Sequence, residues 1–280
     1  MGIIMNLNQL NKKIAALPIG ERFSVSGLPD TVYHAADGIG SSLMREACIS
    51  MAHYRVAKDT PREQTAAMVF GQAVHCAVLE PELFEQKVAV MPEGMARGVT
   101  KKYAEFAQAH PNQLHLKEEE KNHVEEMALA ILVQCPTLFV DGEPEKSFWY
   151  RHESGIVLKA RLDFANDDGG VDLKTSRFDD AEAFERTARK EWAIQDAHYR
   201  MVSGVLDYLF VGVAKDAPYQ AFILRQGQDV IERCTNKINE VAKQIAFCEE
   251  LKSFPLPPCN HIIETHYPSW DNSYLQQATA

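Results

Sequence analysis

The chain is short of positive charge. Its 280 residues carry 29 Lys and Arg against 39 Asp and Glu, a formal net charge of −10. A general nucleic-acid binder is usually basic, so charge by itself argues against that class. The exclusion is incomplete, because carboxylates gathered around divalent cations count as acid in a sequence and turn locally positive once loaded. Basic residues can also collect on one face, and Lys101 with Lys102, or Arg186, Arg189 and Lys190, are the places to look. Cysteine is scattered: Cys48, Cys76, Cys135, Cys234, Cys248 and Cys259 form no CxxC pair. That spacing supports neither a zinc ribbon nor an iron–sulfur cluster and fits free thiols in a reducing compartment. No apolar run approaches the roughly 18 residues that a membrane span needs. MGIIMNLNQLNKK holds too short an apolar stretch for a secretory signal, and Asn6 stands where a myristoylation signal wants Ser or Thr. A cytoplasmic protein is expected. Internal repeats and low-complexity segments are missing too.

What is there is an ordinary globular composition, 46% apolar. Residues 1–40 read as an irregular lead-in with two short elements, rich in turn residues over GLPDTVYHAADGIG. Ser41 or Ser42 is expected to cap a helix through LMREACISMAHYRV. A second helix reads from about Glu63 to Leu79 and stops at Pro81, and residues 101–135 read as two more. The second of these, LKEEEKNHVEEMALAILVQ, has a charged first half, the mark of a solvated face. EKSFWYRH, GIVLKARLDFAN and GVDLKTS then have the texture of a β-meander, with turn residues between them. Helices over DDAEAFERTARK and AIQDAHYRMVSGVLDYL follow, then a buried strand YQAFILRQ, a second strand DVIERCT and an amphipathic helix TNKINEVAKQIAFCEELKSF. The order predicts a mixed α/β sheet with helices on its faces.

The meander carries the chemistry. Strand side chains alternate faces. In GIVLKARLDF one face reads Ile156, Leu158, Ala160, Leu162, Phe164, and the other Val157, Lys159, Arg161, Asp163. In VDLKTS, Val171 and Leu173 point one way, and Asp172, Lys174 and Ser176 the other. A register that permits it brings Asp163, Asp172 and Lys174 to one face. Such a face is either a solvated surface with an i,i+2 ion pair or a metal site. Neighbouring carboxylates repel, and a divalent cation relieves the repulsion. A charged lysine beside them would hold the attacking water or an oxyanion by hydrogen bond. His75 shares a helix face with Gln72 and Leu79 in the apolar run FGQAVHCAVL. A lone histidine there is more often a satisfied core residue than a ligand. Gln195 and Tyr199, four apart, share a face of a later helix.

Taken together, these stretches resemble the RecE-type exonuclease (exodeoxyribonuclease VIII) nuclease domain of the PD-(D/E)xK superfamily, from about Tyr33 onward. YHAADGIGSS resembles the family's opening segment, and GQAVHCAVLEPELF its histidine helix. RLDF and VDLKTS resemble the core acid and the D-x-K motif, QDAHY the Q-x-x-x-Y helix, and HYPSW the tail. The resemblance implies one domain over 1–280, with a restriction-endonuclease-like core, N-terminal helices and a lead-in, 1–32, of unassigned role. It implies Mg²⁺ or Mn²⁺, two per site, ligated by His75, Asp163, Asp172 and the Leu173 carbonyl. Lys174 would position or activate water, and Gln195 and Tyr199 would orient the scissile phosphate or the lysine. Ser42, Arg45 and Arg161 would hold a terminal 5′-phosphate. Glu145, where a family strand begins with Glu, falls with these DNA-side residues. Gly40-Ser41-Ser42 departs from the family's Ser-x-Ser and loses or moves one phosphate contact. The implied activity is 5′-to-3′ digestion of double-stranded DNA, leaving 3′ tails for strand annealing, by a homo-oligomeric ring with a RecT-like annealing partner. The alternatives are a nuclease of other polarity or substrate and a DNA-binding member that does not cut. The CRISPR adaptation nucleases of the superfamily typically carry a four-cysteine cluster, which the scattered cysteines do not form.

Overall fold

The computed structural model describes residues 5–60, 64–98, 100–167, 169–176 and 180–258, with Ser176 described by its backbone alone. The expected helix start at Glu63, the HYPSW tail and Cys259 lie outside the described residues. The chain opens with helix α1 (Leu7–Ala15), strand β1 (Arg22–Val25) and helix α2 (Asp30–Ala35). Asn6 and Gln9 close a capping box on α1. These elements are no loose lead-in. Leu10, Ile14, Leu28, Tyr33 and Ala36 close a core over Trp149 of the main sheet, so this segment covers a strand face that would otherwise meet water.

Helices α3 (Ser41–Ile49) and α4 (Met51–Asp59) replace the single helix expected over LMREACISMAHYRV. Ser50 is extended at φ −167° and its hydroxyl accepts from the His53 amide, so it ends one helix and caps the next. Gly40, not Ser41 or Ser42, is the N-cap of α3, and no side chain caps it. Helix α5 (Ala66–Leu79) follows, capped by Thr65, and Pro81 then opens α6 (Pro81–Lys87) as its first residue. Strands β2 (Val88–Val90) and β3 (Leu114–Leu116) form a small parallel pair that the sequence did not signal. Helices α7 (Lys101–Ala109) and α8 (Glu118–Gln134) lie where two were expected.

The meander is β4 (Gly142–Arg151), β5 (Val157–Asn166) and β6 (Gly170–Ser176), antiparallel throughout. Helix α9 (Ala181–Thr187) runs through one π-helical stretch, Ala188–Trp192, into α10 (Ala193–Ser203). Gly204, at φ 81°, stops α10 in the left-handed region, so the helix does not reach Leu209 as expected. Tyr208–Ala214 is instead strand β7. Strand β8 (Ala221–Leu224) is a half-covered edge rather than a buried strand, with Ile223 54% exposed. DVIERCT, expected as a strand, lies in the first turns of α11 (Gln228–Leu251).

The six-stranded sheet has the order β1-β4-β5-β6-β7-β8, and only β6 and β7 are parallel. The α9–α10 crossover between them meets the demand of a parallel pair for a long connection. One face packs Met44, Leu158, Leu162, Phe210 and Ile245 beneath α3, α4, α10 and α11. The other packs Val74, Met127, Ile131, Leu173 and Val211 beneath α5 and α8. The β5 side chains do not keep one core face to the end. Leu158, Ala160 and Leu162 join the first core, but Phe164 joins the second. Neither is the other β5 face solvated: Lys159 Nζ donates to the carbonyls of Tyr33, His34 and Ala36. Burial lowers the Lys159 pKa to about 8.

Two consequences are measurable. A Cβ at Gly212 of β7 would lie 2.3 Å from the Phe184 ring. Gly212→Ala is therefore expected to destabilise by about 1–3 kcal/mol, seen as a lower urea midpoint at unchanged slope. His198 of α10 is fully buried, its Nε2 donating to the Lys159 carbonyl at 3.0 Å, and burial holds its pKa down to about 4 from 6.5. The unfolded chain takes up this proton first as pH falls. The His198 contribution is thus present above pH 6.5 and lost on falling toward pH 4, by up to about 1.4 kcal/mol per pH unit. Urea midpoints across that range should fall, and less so in His198→Gln.

Candidate catalytic and metal site

The ladder between β5 and β6 is short. Only Phe164↔Val171 and Ala165↔Gly170 pair, and continuing the register would set Asp163 opposite Asp172. Where the ladder ends, Asp163 Oδ2 accepts from the Leu173 amide at 2.7 Å, so a side chain takes the place of a strand carbonyl. His75 Nδ1, from α5, lies 3.4 Å from the same oxygen. The expected burial of His75 is partial: its side chain keeps 25% of its exposure. Glu145 of β4 joins them. One ligand atom from each of His75, Glu145 and Asp163 falls within 4.8 Å of the others.

Asp172 is on the other side of β6, facing α10, and it is 1% exposed. The solvated-face reading of VDLKTS therefore fails: α10 covers that face. Asp172 Oδ1 accepts from Gln195 Nε2 at 2.5 Å and from the Tyr208 hydroxyl at 3.3 Å. Lys174 Nζ lies 2.5 Å from Oδ2. That ion pair is the partner of Oδ2 in the interior. Lys174 also sits over the rings of Trp192 and Phe210, at 5.8 and 5.9 Å. The π-helical stretch ends on that Trp192.

Charge in the site is poorly compensated. Burial first, then Asp163, pushes Glu145 up to about 8, with Arg161 acting the other way. Burial pushes Asp172 up to about 6 against the pull of Lys174, and the charges of Asp163 and His75 also reach it. Raised carboxyls at Glu145 and Asp172, with the charges of Asp163 and His75 reaching Asp172, fit a divalent cation, since protons are the other means of relieving such repulsion.

The remaining predicted residues are distributed unevenly. Tyr199 is one helical turn from Gln195, but its hydroxyl bonds the Ser41 side chain and its ring meets Tyr208 edge-on at 5.7 Å. Leu173 buries its side chain in the second core and gives its amide to Asp163. Ser42 is exposed in the first turn of α3. Arg45 lies 3.7 Å from Glu191. Arg161 is not free for a phosphate: it is buried, donating to Ser147, Asp30 and the Leu28 carbonyl. Glu145 brings a carboxylate oxygen within 4.8 Å of ligand atoms of His75 and Asp163. The proposed basic faces are balanced, with Lys101, Arg186, Arg189 and Lys190 each near a neighbouring glutamate. Sequence reasoning missed Tyr208, which anchors Asp172. The apolar run YLFVGVA is its signal, but Tyr208 and Leu209 read as the end of a helix and the rest of the run as no element.

The profile of the PDDEXK-like domain of unknown function (DUF3799) matches residues 42–265. The chain belongs to that family. The mixed sheet with flanking helices is the PDDEXK-like fold. A search of the curated proteins finds no match. Among solved structures, a "putative exonuclease" from Eubacterium rectale is similar at 12% identity, with a TM-score of 0.55, over 91% of this chain and 99% of that one. At that identity the likeness concerns the fold. Scheffersomyces stipitis Rai1, solved with 3′-NADP⁺ and a calcium ion, is more distant: TM-score 0.36, 12% identity, 87% of this chain and 65% of that one. Among the described residues, no helix of this PDDEXK-like domain is long and apolar enough to cross a membrane.

Proposed function

We propose that this PDDEXK-like domain is a metal-dependent exodeoxyribonuclease that digests one strand of duplex DNA from its 5′ end and leaves 3′ tails for recombination by strand annealing. One observation carries the reading. His75 of α5 pairs with Asp163 of β5, Asp172 pairs with Lys174 on the adjoining strand β6, and Lys174 is held against a buried carboxylate there. PDDEXK nucleases generally use divalent metals. Mg²⁺ or Mn²⁺, two per site, would supply Lewis acidity to the phosphoryl group and make water a better nucleophile at neutral pH.

The chain's own groups would do the rest. Lys174 donates a hydrogen bond to the attacking water and, as the P–O bond breaks, to the charge gathering on phosphoryl oxygen. Asp172 fixes the lysine, and Gln195 and Tyr208 fix Asp172. The rings of Trp192 and Phe210 keep bulk water from the ammonium and strengthen its field. Tyr199 and Ser41 tie α10 to α3, and on this reading Ser42 and Arg45 of α3 would meet the terminal phosphate.

A ring-shaped oligomer around DNA and a RecT-like annealing partner belong to the same proposal. The test of polarity is digestion of duplexes labelled at the 5′ or the 3′ terminus. Early release of the 5′ label as mononucleotide, with the 3′ label retained on long strands, is expected. Early release of the 3′ label would overturn the polarity, and release of neither with Mg²⁺ or Mn²⁺ would overturn the activity.

A further inference from the structure

We infer that Trp192 is a positioning residue for cleavage, its indole face holding the Lys174 ammonium in place while leaving that ammonium's charge and donors to the reacting phosphate. The inference rests on the nuclease reading above and adds a residue that neither the strand motif nor the Gln195–Tyr199 pair supplies. The placement comes first. In the β6–β7 register Asp172 lies beside Phe210 and Lys174 beside Gly212. Gly212 has no side chain, and the Phe184 ring of α9 takes up the space, where a Cβ would lie 2.3 Å from it. Trp192 packs edge-on to Phe184 at 5.6 Å and stacks on Phe210 at 5.3 Å, with 28° between the planes. The indole is thereby fixed from two sides, and its ring centre is 5.8 Å from Lys174 Nζ. Phe210 adds a second ring at 5.9 Å. Both lie inside the roughly 6 Å over which a ring face attracts a cation.

The helix has a matching irregularity. Trp192 ends the π-helical stretch, and at φ −116° and ψ −4° it departs from regular helical angles. Isolated π-helical turns are rare and recur at functional sites. Regular helix resumes at Ala193, and Gln195 follows Trp192 by three residues, on the same side of the helix. Gln195 reaches Asp172 and Trp192 reaches Lys174, so the helix covers the strand pair residue by residue.

Electrostatics explains why a ring stands there rather than a second acid. Asp172 already gives the ammonium a counter-charge. Another carboxylate would neutralise the lysine and occupy its remaining N–H groups. An indole attracts the cation through its quadrupole and claims no net charge in return, and among the aromatic side chains it does so best. An ammonium has three donors, so the contact with Asp172 leaves others for water or phosphoryl oxygen. The Lys174 side chain keeps 23% of its exposure, so that approach is open.

The test is site-specific incorporation, at position 192, of tryptophan carrying one, two or three fluorines on its benzene ring. Fluorine drains the quadrupole and keeps the shape, so folding is preserved. Single-turnover cleavage of an end-labelled duplex with Mg²⁺ or Mn²⁺ is read for each protein, beside duplex affinity. The rate should fall stepwise, by about 5–30-fold at three fluorines, with affinity unchanged. In a Lys174→Ala background the residual rate should not vary along the series. A constant rate along the series with Lys174 present would overturn the role of Trp192 and leave the nuclease reading standing. An equal fall in the Lys174→Ala background would overturn it as well, because the ring would then act on some other group. No cleavage by the unmodified protein with either metal would overturn both readings.

Discussion

Lys174→Ala is expected to cut DNA at least about 10²–10³-fold more slowly than wild type while binding duplex within a few-fold. The ammonium lies 2.5 Å from a carboxylate that is 1% exposed, so little of it is available to attract DNA from a distance. Its contribution belongs to the moment when charge moves onto phosphoryl oxygen. Lys174→Arg should not restore the rate, because a planar fork does not replace a compact ammonium set against Asp172 beside the stacked rings of Trp192 and Phe210. Single-turnover cleavage with a parallel binding titration reads both quantities. A mutant cutting at near wild-type rate would remove lysine from the mechanism. The same variant has a stability signature. Asp172 titrates near 6 in the folded protein against 3.8 unfolded, because burial outweighs Lys174. The folded state therefore holds the extra proton, and this contribution is present below pH 3.8 and lost as pH rises toward 6. Without Lys174 the folded value climbs further and the loss extends to higher pH, at up to about 1.4 kcal/mol per pH unit. Urea midpoints of Lys174→Ala against pH should fall over a wider range than those of wild type, and Asp172→Asn in the same background should flatten them.

Asp163 is expected to show the second large effect, and two substitutions separate its two jobs. Asp163→Ala removes a proposed metal ligand and also leaves the Leu173 amide without its acceptor at 2.7 Å. The amide alone is worth about 1–3 kcal/mol of stability. Asp163→Asn retains an oxygen for that amide but loses the charge. Both variants should lose Mn²⁺ affinity by at least about 100-fold, since even partners one shell further out cost 10–100-fold. Only the alanine variant should unfold much more easily when metal-free. For wild type, Mn²⁺ at about 100 times its dissociation constant should add about 2.7 kcal/mol, a rise of roughly 5–10 °C in Tm that a chelator reverses. A thermal midpoint indifferent to Mn²⁺ and chelator would count against the whole site.

Much of the chemistry was legible because it is local. An aspartate and a lysine two apart on a strand must share a face, and the period of two placed Asp172 with Lys174 before any contact was known. Three successive strands with turn residues between them made the meander readable. Long amphipathic runs did the same for α8 and most of α11. Strand β7 was not legible. Tyr208–Ala214 is buried on both faces in a parallel pairing, and such a run has no alternation to distinguish it from a buried helix. The break at Ser50 was hidden for a similar reason, because serine ends or continues a helix according to whether its hydroxyl turns back to the next amide.

The sequence by itself determined the residue types of the site, their order and the pairing of Asp172 with Lys174, because those follow from covalent neighbourhood and strand period. The tertiary structure alone decided who stands around them. Packing of α10 turned the polar face of β6 into an interior, where Gln195 and Tyr208 could hold Asp172. Closure of the N-terminal segment over β5 took Arg161 out of reach of a phosphate and bound it to Asp30 and Ser147. The opening of the β5–β6 ladder and the left-handed turn at Glu145 brought that residue to His75 and Asp163. None of these could be read along the chain, because each is a contact between segments tens of residues apart whose meeting depends on how whole faces are buried.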